Sequence, residues 1–213
     1  MNKLVLVGGG GHCKSVLDCI IRDGNWQVVG ILDIEENVGK EIFGIQIIGT
    51  DDMLPQLSSA GIKNAFITVG CIFDNKIRHN LYNLLKKYEF SLPVIKDPSA
   101  IVSDKASIGE GTFIGKGGIV NVGAKIGKMC IVNTSAVIEH DCSVESFVNI
   151  SPGAVLCGGV TIGQDTFIGA ASVVIQGVAI SDACLIGAGS VVTKNISHGI
   201  KAFGNPCREA TRL

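Results

Sequence analysis

From Val102 to Val192 an aliphatic residue stands at every sixth position, sixteen times without an insertion: Val102, Ile108, Ile114, Val120, Ile126, Val132, Ile138, Val144, Ile150, Leu156, Ile162, Ile168, Val174, Ile180, Ile186 and Val192. Four places after many of them sits a small or β-branched residue, as at Ala106, Thr112, Gly118, Ala124, Cys130, Ala136, Cys142, Ala154, Ser172 and Cys184. Two inward positions per repeat are thereby specified. Gly follows the aliphatic directly at 109, 115, 127, 163, 169 and 187, where it relieves crowding or permits unusual dihedrals. A period of six fits neither a helix of 3.6 residues per turn nor a hairpin meander. It predicts a solenoid of short flat strands, whose units stack in one dimension. The low aromatic content, 5%, and the 28 glycines suit such a thin-walled structure.

The first half reads differently. Lys3 to Val7 is a buried strand, followed by the glycine run Gly8 to Gly11 and a helix from His12 to about Asp23. A second strand, Gln27 to Leu32, ends at Asp33, and a third hydrophobic run, Ala65 to Val69, ends at Gly70. Helices are expected near 51–60 and 75–89, and Ser91 to Ile95 adds a last strand. The alternation predicts a small parallel sheet flanked by helices, a Rossmann-like α/β unit over residues 1–97. The solenoid then covers 98–195 and a tail 196–213. The glycine run does not supply a full G-x-G-x-x-G fingerprint, so a nicotinamide cofactor is not expected. Backbone N–H groups opening a helix can still hold an anion such as a pyrophosphate. Asp33 stands 22 residues past Gly11 and could accept hydrogen bonds from ribose hydroxyls or a base.

A formal charge of -1 argues against a nucleic-acid partner or an anionic lipid surface. The apolar run before the glycines is too short for a signal peptide or membrane span, which predicts a cytoplasmic protein without membrane insertion. Eight cysteines (Cys13, Cys19, Cys71, Cys130, Cys142, Cys157, Cys184 and Cys207) are scattered with no C-x-x-C pair. They read as reduced and mostly buried, with no metal site and no disulfide framework.

The repeats resemble the hexapeptide-repeat acyltransferases, which implies a left-handed parallel β-helix with three hexapeptides per triangular coil. One coil is then eighteen residues, so Val122 and Gly158 stack on His140, and Gly123 and Gly159 on Asp141. The sequence Glu139-His140-Asp141 places an ionisable triplet at a corner with glycines beside it. Asn133 to Cys142, Ser151-Pro152-Gly153-Ala154 and Gly158 to Gly163, together with Gly8 to His12 and Phe203-Gly204-Asn205-Pro206, resemble the sugar-nucleotide and sialic-acid acetyltransferase family. That family includes the bacillosamine-pathway and perosamine N-acetyltransferases, and the resemblance spans essentially the whole chain.

The resemblance implies an acetyl-CoA-dependent N-acetyltransferase acting on a nucleotide-linked amino sugar of the 4-amino-4,6-dideoxy type, assembled as a homotrimer with acetyl-CoA between adjacent prisms. It implies His140 as general base, suited to the task by an imidazole pKa of about 6.5. Asp141 orients the ring, with Glu139 the alternative carboxylate. The sugar nucleotide is expected at Gly10, Gly11, His12, Asp33, Ile34 and Gly70, and acetyl-CoA at Asn149, Gly158, Ala170 and Ala188. Backbone N–H groups near Gly158 are candidates for holding the oxyanion. Relatives often carry His at the place of Asn149, and usually Ala at that of Cys207. An O-acetyltransferase of sialic acid or a related sugar and a noncatalytic β-helix scaffold remain the alternative classes.

Overall fold

The computed structural model describes residues 1–70 and 74–212; Cys71 lies outside the described residues. The chain divides into two compact units, Met1–Ile95 and Lys96–Leu213.

In the first unit a five-stranded sheet has the order β3-β4-β2-β1-β5, formed by β1 (Asn2–Val7), β2 (Trp26–Leu32), β3 (Glu41–Ile42), β4 (Ile45–Gly49) and β5 (Asn64–Ile67). All pairs are parallel except β3 with β4. Leu4, Val5, Leu6 and Val7 are all buried, as expected of a central parallel strand covered on both faces. Helix α1 (Gly11–Asp23) buries Cys13, Val16, Leu17 and Ile20, the 3–4 spacing of one helical face, and ends at Gly24 in the left-handed region. The helical stretch expected at 51–60 is a 3₁₀ turn, Asp51–Met53, followed by α2 (Leu54–Ser59); α3 runs Lys76–Lys87. The β3–β4 hairpin is absent from the sequence reading. Its Ile45 and Ile47 alternate with polar Gln46, but the run is short and interrupted by Gly44. Ser91 makes only an isolated parallel bridge to Asn64 instead of opening a strand, since Pro93 follows and cannot donate to a ladder.

The second unit is the left-handed parallel β-helix. Each two-residue strand pairs with the strand eighteen residues on, as Ile119↔Val137 and Val137↔Val155 show. Three faces result. The first carries Ile101–Val102 through Val191–Val192, the second Ser107–Ile108 through Ala179–Ile180, and the third Ile95–Lys96 through Leu185–Ile186. Ile95–Lys96 is thus a rung of the third face and not the end of the first sheet. Inside the prism the aliphatic ladder from Ile114 to Val192 is buried together with Ala124, Cys130, Ala136, Cys142, Ala154 and Cys184.

One of the corners has a hydrogen-bonded lining. Thr112 Oγ1 donates to Gly127 O at 3.0 Å, Cys130 Sγ to Glu145 O at 3.0 Å, and Thr166 Oγ1 to Ser181 O at 2.9 Å. Small side chains that carry a donor therefore satisfy carbonyls that turn inward.

The backbone is left-handed at every sixth residue from Gly111 to Gly189, three places after the aliphatic, and non-glycine residues such as Met129, Asp141 and Phe147 occupy that position with φ near 60°. The glycines that directly follow the aliphatic serve the other purpose. A Cβ on Gly127 would lie 2.7 Å from Glu145 C, and one on Gly109 2.5 Å from Gly127 C. Close approach of successive coils requires these glycines, and dihedral freedom does not. The residues read as a tail form an antiparallel hairpin, Ile200–Gly204 with Cys207–Arg212, that continues the third face through Leu185↔Lys201. No helix among the described residues is long and apolar enough to cross a membrane.

Candidate functional site

The first unit places its glycine run at the C-terminal edge of the sheet. The chain runs from β1 to β2 on one side and β5 lies on the other, so the loops after β1 and β5 diverge there, as at the ligand crevice of doubly wound sheets. The four glycines separate into two pairs. Gly8 has φ of 107°, and a Cβ on it would lie 2.5 Å from Val69 Cγ2; one on Gly9 would lie 2.6 Å from Asp33 Oδ2. Gly10 and Gly11 have nothing within 4 Å of such a Cβ, so the two glycines expected to meet the ligand are the open ones. Gly10 caps α1 with no side-chain hydrogen bond.

His12 lies in the first turn of α1, and a Cβ on Gly70 would touch it at 3.4 Å. Burial, reinforced by the Arg78 cation, lowers the His12 pKa to about 4, so the ring is neutral at physiological pH. It can offer a hydrogen bond but no charge to a phosphate.

A cavity of about 280 Å³ opens beside the glycine run, lined among others by Gly8, Asp33, Ile34, Asp51, Asp52 and Ile77. Of the residues expected to bind the sugar nucleotide, Asp33 and Ile34 line this cavity, while Gly10, Gly11, His12 and Gly70 lie outside its lining. Asp33 Oδ2 accepts a hydrogen bond from Asn37 Nδ2 at 2.8 Å. Ile34 and Ile77, each 62% exposed, form apolar walls. Burial, then the neighbouring charges of Asp52 and Asp33, raises the Asp51 pKa. Sequence reasoning missed Asp51 and Asp52 because β4 was not recognised; a carboxylate directly after a strand that neighbours β2 is the signal that would have found them.

In the β-helix, His140 and Asp141 occupy the corner between the first and second faces. His140 Nδ1 stands 3.0 Å from Asp141 Oδ2. Glu139 Oε2 instead approaches the His140 backbone N–H at 3.4 Å, so the ring's carboxylate partner is Asp141. Asp141 has φ of 59°, the left-handed turn position of the repeat, which brings its carboxylate alongside the preceding side chain.

Neighbouring coils pin the pair. Asp141 N donates to Val122 O at 3.1 Å and Gly159 N to His140 O at 2.9 Å. A Cβ on Gly123 would lie 2.5 Å from Asp141 Oδ1, and one on Gly158 would lie 2.6 Å from His140 Cε1 and Nε2. Glycine above and below makes the room in which the two side chains meet. Because the Gly159 N–H is committed to His140 O, it is not an oxyanion donor.

The structure separates the residues expected to hold acetyl-CoA. Gly158 lies beside His140. Asn149 opens a strand on the third face, with its N–H donated to Thr166 O at 3.0 Å, and Ala170 and Ala188 follow the strands Phe167–Ile168 and Leu185–Ile186 of that face. These three stand on the third face and on the corner leading from it to the first, not on the His140 corner. Among the described residues, no three His, Cys, Asp or Glu side chains gather to hold a metal ion.

Comparison with known proteins gives two matching family models, the PglD N-terminal domain over residues 3–85 and the hexapeptide repeat of succinyl-transferase over 105–140 and 153–194. GDP-perosamine N-acetyltransferase of Escherichia coli is 31% identical over 178 residues, 81% of this chain and 77% of that protein. A single-residue variant of perosamine N-acetyltransferase from Caulobacter crescentus, in complex with CoA and GDP-perosamine, is 32% identical with a TM-score of 0.93, over 99% of this chain and 98% of that one. The acetyltransferase domain of PglB from Neisseria gonorrhoeae, in complex with acetyl coenzyme A, is 33% identical with a TM-score of 0.92, over 99% of this chain and 100% of that one.

Proposed function

Because the chain belongs to the hexapeptide-repeat family of acetyl-CoA-dependent sugar N-acetyltransferases, we propose that it acetylates the amine of a nucleotide-linked 4-amino-4,6-dideoxy sugar, with His140 as general base. The observation that carries the mechanism is the His140–Asp141 pair at 3.0 Å. With Nδ1–H donated to the carboxylate, Nε2 is left as the proton acceptor, and Asp141 stabilises the imidazolium that forms. The acceptor amine attacks the thioester carbonyl, forming the C–N bond and giving its proton to Nε2. The C–S bond then breaks, and the CoA thiolate leaves with that proton.

In the same reading the sugar nucleotide occupies the cavity of the first unit. Its diphosphate lies at Gly10, Gly11 and the opening of α1, and its hydroxyls meet Asp33. Acetyl-CoA lies along Asn149, Ala170 and Ala188. The two relatives named for perosamine, one of them crystallised with CoA and GDP-perosamine, support the substrate class.

A homotrimer is part of the proposal. The base stands on one corner of the prism and the donor positions on another, so a single prism does not offer both to one thioester. A threefold axis sets unlike corners of neighbouring prisms side by side in a closed ring. We also place the protein in the cytoplasm, in keeping with the free thiols of Cys13, Cys142, Cys157, Cys184 and Cys207.

The test is a thiol-release assay with acetyl-CoA and a panel of UDP-, GDP- and dTDP-linked amino sugars. One CoA released per acetamido sugar formed is expected. Acetyl transfer to a sialic-acid hydroxyl, with none to any amino sugar in the panel, would overturn the reading.

A further inference from the structure

Resting on the reading that the acceptor amine attacks at His140, we propose that Glu139 makes the site select an amine over a hydroxyl. Its carboxylate holds the acceptor as an ammonium and then stabilises the positive charge on the attacking nitrogen. The two carboxylates of this corner are used differently. Both oxygens of Asp141 are engaged, Oδ2 with His140 Nδ1 at 3.0 Å and Oδ1 against Gly123, whose Cβ, if it had one, would lie 2.5 Å away. Glu139 uses one oxygen alone. Its Oε2 accepts a long hydrogen bond from the His140 N–H at 3.4 Å, and Oε1 has no hydrogen-bond partner among the described residues.

The coil fixes where that carboxylate stands. Glu139 directly follows the first-face strand Val137–Ile138, and its N–H donates to Leu156 O at 2.9 Å. It therefore flanks the imidazole on the first-face side, while Asp141 flanks it on the second-face side. In three successive layers this corner carries Asn121-Val122-Gly123, Glu139-His140-Asp141 and Cys157-Gly158-Gly159, which include two carboxylates and no Lys or Arg. The next cation along the chain, Lys125, stands on the second face, beyond Gly123 and on the side of Asp141. Glu139 is half-buried where His140 and Asp141 are exposed. Its charge reaches the inner wall as well: burial raises the Cys142 thiol pKa, and the Glu139 carboxylate adds to the rise.

A half-buried anion beside the base rewards an acceptor that arrives positively charged. An aliphatic amine is largely an ammonium near neutrality, whereas a sugar hydroxyl is neutral. Attack on the thioester repeats the distinction, because the nitrogen forming the C–N bond carries positive charge until Nε2 takes its proton. A fixed carboxylate stabilises that state. The protons balance: the ammonium sheds one to solvent before attack, and the second passes to Nε2 and leaves with the CoA thiolate.

Calorimetry on the purified full chain with UDP-, GDP- and dTDP-linked 4-amino-4,6-dideoxyhexoses, each beside its 4-hydroxy counterpart, reads the selection without acetyl-CoA. Wild type should bind the best amino sugar at least about 10-fold tighter than its hydroxyl counterpart, as for a hydrogen bond to a charged group. Glu139→Gln keeps an oxygen to meet the His140 N–H and removes the charge. It should bind the amino sugar about 10-fold more weakly, leave the hydroxyl counterpart unchanged, and lower kcat with the same amino sugar. A wild type without preference for the amine, unchanged amine affinity or unchanged kcat in Glu139→Gln, or equal losses for the two ligands each overturns the proposal. So does an altered mass by light scattering, which would make Glu139 a subunit contact. His140→Ala tests the underlying reading separately. Lost turnover with the amine preference in binding retained supports both, and near wild-type turnover places the reaction away from this corner.

Discussion

The imidazole of His140 lies against the Cα of Gly158, one coil away, leaving no space for a methyl group: a Cβ there would sit 2.6 Å from both Cε1 and Nε2. Gly158 does not have a left-handed backbone, so alanine at this position strains the site and not the turn. Gly158→Ala should displace the ring and lower kcat about 10²-fold, the cost of a misplacement of roughly 1 Å. The melting temperature should stay close to wild type. Equal turnover by the variant would show that the ring's present position does not matter to the reaction.

His140→Ala should lower kcat by about 10²- to 10⁴-fold, the range for loss of a general base, and leave acetyl-CoA affinity nearly unchanged. Asp141→Asn should cost less. Asparagine tolerates the left-handed turn as aspartate does, so the fold is kept while charge stabilisation of the imidazolium is lost. Steady-state kinetics on the best acceptor decides; near wild-type turnover in His140→Ala would place the base elsewhere.

Asp33 stands at the end of β2 with one oxygen bound to Asn37, and lines the cavity of the first unit. Asp33→Ala should weaken the nucleotide sugar by about 10- to 100-fold, the loss of hydrogen bonds to a charged acceptor, without affecting acetyl-CoA. Calorimetry with each ligand checks both halves. Equal weakening of the two would mean that the substitution acts through folding.

Acid should act on the first unit through His12. Its folded pKa of about 4 lies below the ordinary 6.5, so the unfolded chain takes up a proton first as pH falls. Stability is therefore fully present above about 6.5 and is lost as pH drops from there toward about 4. Asp51 runs the other way, since a carboxyl pKa raised by burial favours the folded state in acid and gives that stability up as pH rises. The comparison of wild type with His12→Gln isolates the imidazole. Melting temperatures of the variant should fall less steeply between pH 6.5 and 4, and parallel slopes would contradict the assignment.

Gly127 separates two coils, and a Cβ on it would lie 2.7 Å from Glu145 C. Gly127→Ala should destabilise the β-helix by about 1–3 kcal/mol, the usual cost of overpacking, because the obstructing atom is backbone and cannot rotate aside. Gly177→Ala has no such neighbour, but its φ is 69°, so it tests the dihedral cost alone. Thermal melts of both variants should place Gly127→Ala lower.

The β-helix was legible because its rule is local. Ile138 and Cys142 point inward for reasons contained in six residues, and the next coil repeats them. His140 could thus be set beside Gly158 by counting eighteen, and the structure places the two together. What failed to show in the sequence depends on partners that the sequence order hides. Ile200–Gly204 joins the third face only by pairing with Leu185–Ile186, after the period has lapsed beyond Val192. Asp51 and Asp52 approach Asp33 only because β4 lies against β2. The role of glycine was divided between two positions that composition does not distinguish, one crowded and one left-handed. The split of Gly158 from Ala170 and Ala188 becomes visible once the corners are drawn.

An eighteen-residue coil gives every residue from Ile95 to Val192 a cylindrical coordinate. Adding six to a residue number turns the position by one face; adding eighteen leaves the angle unchanged and raises the height by about 4.8 Å. His140 and Gly158 share an angle, as do Ala170 and Ala188, and the two angles differ. The separation of any two of these residues along the axis is therefore written in whole layers. It can be lengthened or shortened by duplicating or deleting a coil, while a deletion of one or two residues would turn every later inward side chain off its axis.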